Sequence, residues 1–505
     1  MTEAKKIPKP SPAFAERLNI QNTFAGLGEG FYQKKSPDPV TDPYLIHYNP
    51  SVGQLINLEF TPQSELEFIE IFSGNISLPN AFPLAMAYSG HQFGAYNPKL
   101  GDGRGLLLAE ANGTDGKLWD LYLKGCGPTR FARGFDGRAT LRSSIREYLA
   151  GEAMHALGIP SSRALALIGI RDLIYRERPE LAAILVRLSD SHIRFGSFEY
   201  FHYSNQGEKI PLLLDYAIQR YFPEIFDSGE KHRLLFREVV KNTAELIAHW
   251  QTAGFVHGVM NTDNLLITGA TFDYGPFGFL DRFNPGFTAN SSDAKGRYAW
   301  SKQPEIGYWN LSKLGETLVS LCGASALESE LNEYQGIYNR TFRKLMGKKL
   351  GLMMLDEEFT HLVGRLFQIL SENPADFTNF FRRLSNFPNR DWKNLFDYFP
   401  DQKALDDWLI LYRKLIDREE MDDGQRFNEM NRANPKFILR SHLIEHAISK
   451  ALKESDYSEI DRLFAFAQSP YDELPGSLAN EDFDPKYYFA DTPPNLVGWR
   501  LSCSA

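Results

Sequence analysis

The most restrictive stretch of this chain is His257-Gly-Val-Met-Asn-Thr-Asp-Asn264, followed by strand-like Leu265–Ile267 and then Asp273-Tyr-Gly275. Side-chain oxygens of the Asn264 and Asp273 type suit Mg²⁺, which needs one or two protein oxygens and completes its shell with phosphate and water. The stretch follows an amphipathic pattern over Glu238–Thr252, with Gly254 placed to end that helix in a left-handed turn. A helix, a tight polar loop and a metal-bearing turn in this order are a plan for positioning a nucleotide.

Phosphotransferases of the protein-kinase type carry His-x-Asp-x-x-x-x-Asn, where Asp accepts the hydroxyl proton and Asn binds metal. A later Asp-Phe-Gly supplies the second metal ligand. His257, Asn264 and Asp273 keep those places. The position of the base is Val259, which takes no proton, and a carboxylate stands instead at Asp263. Either catalysis has been lost or the reacting atom has moved. With Asp263 as the base, the acceptor hydroxyl meets a different point on the nucleotide.

The upstream half supplies matching parts. Gly101-Asp-Gly-Arg-Gly105 precedes a strand at Leu106–Glu110, turn-rich Ala111–Gly116 and an alternating strand at Leu118–Lys124. Glycines there free backbone N–H groups to cradle phosphate, although such a turn on its own is more often a hairpin connection. Leu141–Leu157 reads as a helix carrying Glu147, stopped by Gly158-Ile-Pro160. A strand lysine held by a helix glutamate positions phosphates, so Lys124 and Glu147 form a candidate pair, the alternative being two solvated charges. Strands are also expected near Ala164–Ile168 and Ala183–Leu188, and helices from Trp309 to about residue 470. Residues 1–50, rich in Pro and aromatics, are expected to wrap over a core rather than form one. The reading is α+β and protein-kinase-like: a small β-rich lobe over 1–190 including the N-terminal extension, then a larger, mainly helical lobe over 191–505, with the boundary near Ser189–Phe195.

Arg187 ends the strand before that boundary, and Arg194 lies in Ser191-His-Ile-Arg-Phe-Gly196. Buried arginines are costly unless paired, and phosphate pairs with Arg bidentately. Two arginines where a kinase seats its adenine suggest a reversed nucleotide: β- and γ-phosphates inside, α-phosphate toward the acceptor. Attack there transfers AMP and releases pyrophosphate. Each arginine taken singly also reads as a surface salt bridge. Asp136-Gly137 adds a polar pair ahead of the helix.

A net charge of −9 in 505 residues disfavours a general nucleic-acid binder. Three cysteines, Cys126, Cys322 and Cys503, show no metal-ligand spacing and argue against a disulfide framework. No apolar run reaches the length of a membrane span, and Met1–Pro12 lacks a signal-peptide pattern, so a cytoplasmic location is expected.

Several strings resemble the selenoprotein O family, whose bacterial members are called YdiU, and the resemblance spans nearly the whole chain. They include Tyr88-Ser-Gly-His-Gln-Phe-Gly94, Leu100-Gly-Asp-Gly-Arg-Gly105, Arg142-Ser-Ser-Ile-Arg-Glu147, Ser191–Gly196, His257–Asn264, Asp273-Tyr-Gly-Pro-Phe-Gly278 and Asn434-Pro-Lys-Phe437. The resemblance implies a pseudokinase fold with protein adenylyltransferase activity on Ser, Thr or Tyr, using reversed ATP with Mg²⁺ or Mn²⁺. By motif it implies Gly101, Gly103, Arg104, Lys124, Asp136, Gly137, Arg187, Arg194 and Asp273 at ATP, and Glu147 as the partner of Lys124. It further implies Asp263 as base and Asn264 and Asp273 as metal ligands. Cys503 stands where the family carries tail selenocysteine or Cys and has a candidate redox role. Ala289, in Phe287-Thr-Ala-Asn290, stands where some members carry a partner Cys, which argues against a disulfide to that site here.

The expected partners are ATP and protein substrates, with no nucleic acid and no membrane. UMP transfer with Mn²⁺, an atypical phosphotransferase and a non-catalytic nucleotide-binding scaffold remain as alternatives. The charge run Asp417–Asp423 reads as a solvated helix end. His91, His192 and His249 read as pocket, core or surface residues. Gly296–Trp300 and Gln303-Pro304 are assigned no mechanism beyond supporting the loop region.

Overall fold

Two arrays of alternating apolar residues dictate the architecture. Leu121 and Leu123 face one hydrophobic cluster and Tyr122 another, as do Ile184 and Val186 against Ala183 and Leu185. Side chains alternate across a strand, so a sheet with such strands is buried on both faces. The computed structural model describes residues 17–385, 392–400, 402–479 and 483–502. Its strands are β1 Ile20–Gln21, β2 Tyr32–Lys34, β3 Tyr44–Tyr48, β4 Leu84–Met86, β5 Gly90–Gln92, β6 Ala95–Asn97, β7 Gly105–Asn112, β8 Leu118–Lys124, β9 Ala139–Thr140, β10 Arg163–Tyr175, β11 Pro179–Ser189, β12 Phe255–Val256 and β13 Gly278–Phe279. Nine of them form one antiparallel sheet in the order β2-β4-β7-β8-β11-β10-β3, with β1 on β7 and β9 on β11.

One face of the sheet packs on α1 (Pro50–Leu55) and α2 (Glu65–Phe72), through Val52, Phe68 and Phe72. The other packs on α3 (Leu141–Ala156), whose first turn is capped by the Thr140 hydroxyl accepting from the Ser143 N–H at 3.2 Å. The N-terminal segment therefore does more than wrap: β1, β2 and β3 extend the sheet, and Leu18, Phe24, Phe31 and Ile46 are buried in its cores. Aromatic residues spaced by short polar turns made that stretch look like covering chain, because its strands are short and pair only with distant partners.

Past β11 the chain is mainly helical. It runs through α4 (Phe195–Tyr203), α5 (Ile210–Tyr221), α6 (Lys231–Ala253), α7 (Gln303–Cys322) and α8 (Ala324–Leu350), then shorter helices, the last of them Pro485–Phe489. Gly254 closes α6 with φ 70° in the left-handed region. Strand-like Leu265–Ile267 is not a strand: Leu265 and Leu266 make only isolated bridges, to Thr271 and Arg194, and β12 pairs instead with β13. Nor is the charge run Asp417–Asp423 wholly solvated. The Glu419 side chain is buried against Arg426 at 3.0 Å and accepts the Met353 and Met354 N–H groups, so it ties two helices together.

The two halves are joined by buried charge as well as apolar packing. Arg220 of α5 reaches across to Glu110 of β7 and Asp120 of β8, and His192 bonds the same Asp120 at 2.9 Å. No helix of the described residues is long and apolar enough to cross a membrane.

Candidate active site

Register places the first functional group. Lys124 closes β8 opposite Gly105 on one side and Leu185 on the other, so it stands directly beside the end of the glycine loop. Arg187 is paired with Tyr122, two residues back on the same face. Lys124 Nζ donates to Glu147 Oε2 of α3 at 2.5 Å and to Asp273 Oδ1 at 2.8 Å. Arg187 donates to the same two carboxylates, and Arg194 Nη1 donates to Asp273 Oδ2 at 2.7 Å. Strand, helix, boundary loop and Asp-Tyr-Gly turn thus converge on one cluster of three cations and two carboxylates.

The alternative reading of Arg187 and Arg194 as surface salt bridges is corrected by this geometry. Both are buried, and protein carboxylates pair them. They also share one buried ring, lying 4.2 and 4.3 Å from the centroid of Phe272. A desolvated cation–π contact is worth about 2 kcal/mol, so the ring helps to hold two like charges close together. Burial pushes the Asp273 carboxyl up, but Lys124, Arg187 and Arg194 outweigh it and hold the group well below the usual carboxylate range. Asp273 adopts a left-handed φ of 54°, the strained conformation that turns its carboxylate into this cluster.

In front of the cluster lies a cleft of about 450 Å³, ordinary for a small-molecule site. Gly101, Gly103, Arg104, Lys124, Asp136, Gly137, Glu147, Arg194, Asp263, Asn264 and Asp273 all line it, and Arg187 lies behind them. Seven cations and five carboxylates line this wall, so the cleft is locally basic in a protein of net charge −9 and suits an anion. Gly101 has φ 110°, and a Cβ there would come within 2.5 Å of the Phe131 ring. Asp136 is held by Arg176 of the same lining, at 2.7 and 2.8 Å.

The loop over 257–264 is fixed by polar contacts. Burial lowers the affinity of His257 for a second proton. Its Nε2 donates to the Phe272 carbonyl at 3.0 Å, just before Asp273, and its backbone N–H donates to Gln303 Oε1 at 3.0 Å. Gln303 also donates to the Phe255 carbonyl, which gives that sequence position the role it lacked. Val259 packs beside the cleft as the apolar occupant of the usual base position. Asp263 is buried, its Oδ1 has no hydrogen-bond partner among the described residues, and its backbone oxygen accepts Arg194 Nη1 at 2.7 Å. Burial pushes its pKa up to about 7 against the opposing charge of Arg194. Asn264 Nδ2 donates to the Val259 carbonyl at 2.9 Å, which leaves its Oδ1 as the atom for a ligand.

The oxygens of Asn264 and Asp273 are hard donors on the same cleft wall. Two such ligands fit a divalent cation of the Mg²⁺ type when phosphate completes its shell. Among the described residues no cluster of three or more His, Cys, Asp or Glu offers a self-sufficient metal cage.

Asp102, Tyr122 and Phe272 escaped the sequence reading as site residues. Asp102 lies inside the glycine string and accepts Met86 N–H and Tyr122 hydroxyl at 2.9 and 2.8 Å. Burial lifts it to about 6, against the lowering effect of Arg194, which stands 3.6 Å away and makes its closer contact with Asp273. The signal for Asp102 was its place between two glycines; Phe272 had only its position beside Asp273. Cys503 lies outside the described residues. Ala289 accepts the Leu501 N–H at 2.8 Å, so the tail does run beside the loop.

The family described as protein adenylyltransferase SelO matches residues 15–468. The chain belongs to the SelO family. A protein nucleotidyltransferase YdiU of Myxococcus xanthus is 45% identical over 500 residues, covering 98% of this chain and 100% of its own. That of Thioalkalivibrio sulfidiphilus is 44% identical over 498 residues, covering 97% and 99%. That of Aliivibrio salmonicida is 42% identical over 489 residues, covering 97% and 99%. The resemblance read from the sequence and this SelO membership agree.

Proposed function

We propose that this SelO-family chain transfers AMP from ATP to Ser, Thr or Tyr hydroxyls of proteins. ATP lies reversed in a kinase-like cleft between a β-rich part, residues 1–190, and a helical part, 191–505. The observation that carries the reading is Asp263: a buried carboxylate with an unpartnered oxygen beside the cleft, while the usual base position is filled by Val259.

Asp263 takes the proton of the acceptor hydroxyl. The freed oxygen attacks the α-phosphorus, the bond from that phosphorus to the bridging oxygen breaks, and its electron pair leaves with pyrophosphate. Lys124 and Arg194 face the developing charge on the leaving group, and Glu147 and Asp273 keep the cations aimed. Arg187 holds Glu147 and Asp273 in place from behind. The glycine loop and Arg104 lie against the cleft mouth, where backbone N–H groups and a guanidinium are available to the nucleotide. Asn264 and Asp273 would hold Mg²⁺ or Mn²⁺. The ion would neutralise phosphate charge and orient the phosphates.

The full chain incubated with ATP and Mg²⁺ should gain an AMP-sized mass, on itself or on an added protein, and release pyrophosphate. Gain of phosphate alone rejects the proposal in favour of a phosphotransferase. Labelling by UTP and Mn²⁺ but not ATP shifts it to uridylyl transfer. In Asp263→Ala transfer is lost and ATP binding kept; a scaffold would show no transfer in either form.

A further inference from the structure

The β5–β6 hairpin stands beside the catalytic loop and takes no part in the steps above. At one end, Gly90 lies against Asp263. At the other, Phe93 has a left-handed φ of 51° and a ring 44% exposed. Its N–H is pinned by the Tyr298 hydroxyl at 2.9 Å and by Asn261 Oδ1 at 3.3 Å, two residues from Asp263. A strained backbone that presents an apolar ring to solvent does nothing for the stability of the free chain.

Next to Phe93, Gly94 lies over the guanidinium of Arg297, where a Cβ would come within 3.3 Å of it. That guanidinium stacks 4.6 Å from the centroid of Trp309, and Lys313 Nζ lies 5.5 Å from the same ring. Arg297 is half-buried and its side chain hydrogen-bonds the Tyr298 hydroxyl, but among the described residues its buried Nε and Nη2 have no hydrogen-bond partner and it makes no ion pair. The buried Arg187, Arg194, Arg220 and Arg440 each have carboxylate partners. Asp293, the acid nearest in sequence, gives its carboxylate to the Arg297 and Tyr298 N–H groups instead. Lys313 is occupied by Glu316 at 2.5 Å. An arginine held flat against a tryptophan and left without an anion is a charge awaiting one.

We propose that Phe93 and Arg297 form the acceptor subsite, where Phe93 packs on the acceptor polypeptide and Arg297 binds an Asp or Glu near the hydroxyl to be modified. The proposal rests on the transfer reading above. The hairpin sets the spacing: Gly90 touches Asp263 and Gly94 touches Arg297, and four residues of strand span at most about 13 Å. An extended acceptor covers that span in about four residues, so the acid lies two to four positions from the acceptor residue. In a protein of net charge −9 an acidic segment is repelled by the surface at large. A local unpaired cation is therefore what would select it.

The test uses the full chain, ATP and Mg²⁺, and synthetic peptides with one hydroxyl residue and Asp, Ala or Lys placed two to four positions away. The Asp peptide should be modified with kcat/KM about tenfold above the Lys peptide, mainly through KM, and the gap should shrink as salt rises. Arg297→Lys should keep the order and Arg297→Glu should reverse it. Thermal stabilisation by ATP should match wild type in both variants, which reports an intact fold and nucleotide site. Equal use of the three peptides, an acid preference that survives Arg297→Glu, or AMP found on the chain itself but on no acidic peptide would overturn the subsite. No AMP on protein or peptide rejects the transfer reading itself, and the subsite falls with it.

Discussion

Asp263 and Asp273 are both buried aspartates, ten residues apart, and their surroundings drive them in opposite directions. Asp273 accepts from three cations and stays ionised at any working pH. Burial of Asp263 outweighs the opposing charge of Arg194 and a backbone hydrogen bond, and its pKa rises to about 7. The working form of a general base is the carboxylate, so its fraction falls as pH falls through that value. kcat/KM for AMP transfer, which reports the free enzyme, should drop about tenfold per pH unit below 7 and level off above it. Asp263→Asn should lower the rate by roughly 10²–10⁴ and abolish the slope. Stability should move the other way. A carboxyl whose folded pKa exceeds its unfolded value makes the native state bind more protons between the two, so stability falls as pH rises across that window. At pH 8 the Asn variant should therefore melt above wild type, as measured by calorimetry. A variant with a lower Tm and an unchanged pH slope would show that another group is the base.

At the scale of elements, the catalytic loop is held from two sides: by α7 through Gln303, and by β5 through Gly90 and the His91 N–H, which donates to the Thr262 hydroxyl at 2.7 Å. A Cβ on Gly90 would stand 3.0 Å from both Asp263 Oδ1 and Thr262 Oγ1. Gly90→Ala should therefore push the base out of line and cut transfer by roughly 10², a cost typical of a displacement near 1 Å. Stabilisation by bound ATP should be retained, because Lys124 and Glu147 are untouched. An equal loss of ATP stabilisation would place the hairpin in the nucleotide site instead. This coupling was not legible in the sequence, whereas the cluster behind Lys124 largely was. Lys124 and Glu147 announce themselves through local period and order: a charge at the end of an alternating strand, and a carboxylate on the next helix. Asp263 and Val259 stood out as an exchange within one short loop. The partners of Arg187, the stacking on Phe272 and the hairpin's seat on the loop depend on contacts between residues tens to more than a hundred positions apart, which no local spacing records. Leu265–Ile267 misled for the same reason. Its apolar run is buried by the fold around it rather than by a strand partner.

Across the whole molecule, the C-terminal segment returns to the loop that follows Asp273. Thr492 and Gly498 donate to Asp281 at 2.5 and 3.0 Å. Leu501 N–H donates to the Ala289 carbonyl, and the Leu501 carbonyl accepts the Ser291 N–H, each at 2.8 Å. The same loop reaches the catalytic centre directly, since Asn290 Nδ2 donates to the Gly258 carbonyl at 3.1 Å. One strand-like pairing thus links the last described residues to the backbone between His257 and Val259, without any need for a thiol at position 289. A chain ending at Gly498 keeps the Asp281 contacts and loses the Leu501 pairing. In hydrogen exchange, the Ser291 amide of that truncated chain should lose its protection, while amides of β8 and α3 exchange as in the full chain. The Asn290 bond to Gly258 stays available after truncation, so ATP binding should persist, and any fall in transfer should follow the loosening of residues 289–291. Unchanged protection at Ser291 would mean that the loop holds its shape alone and that the tail merely lies along it.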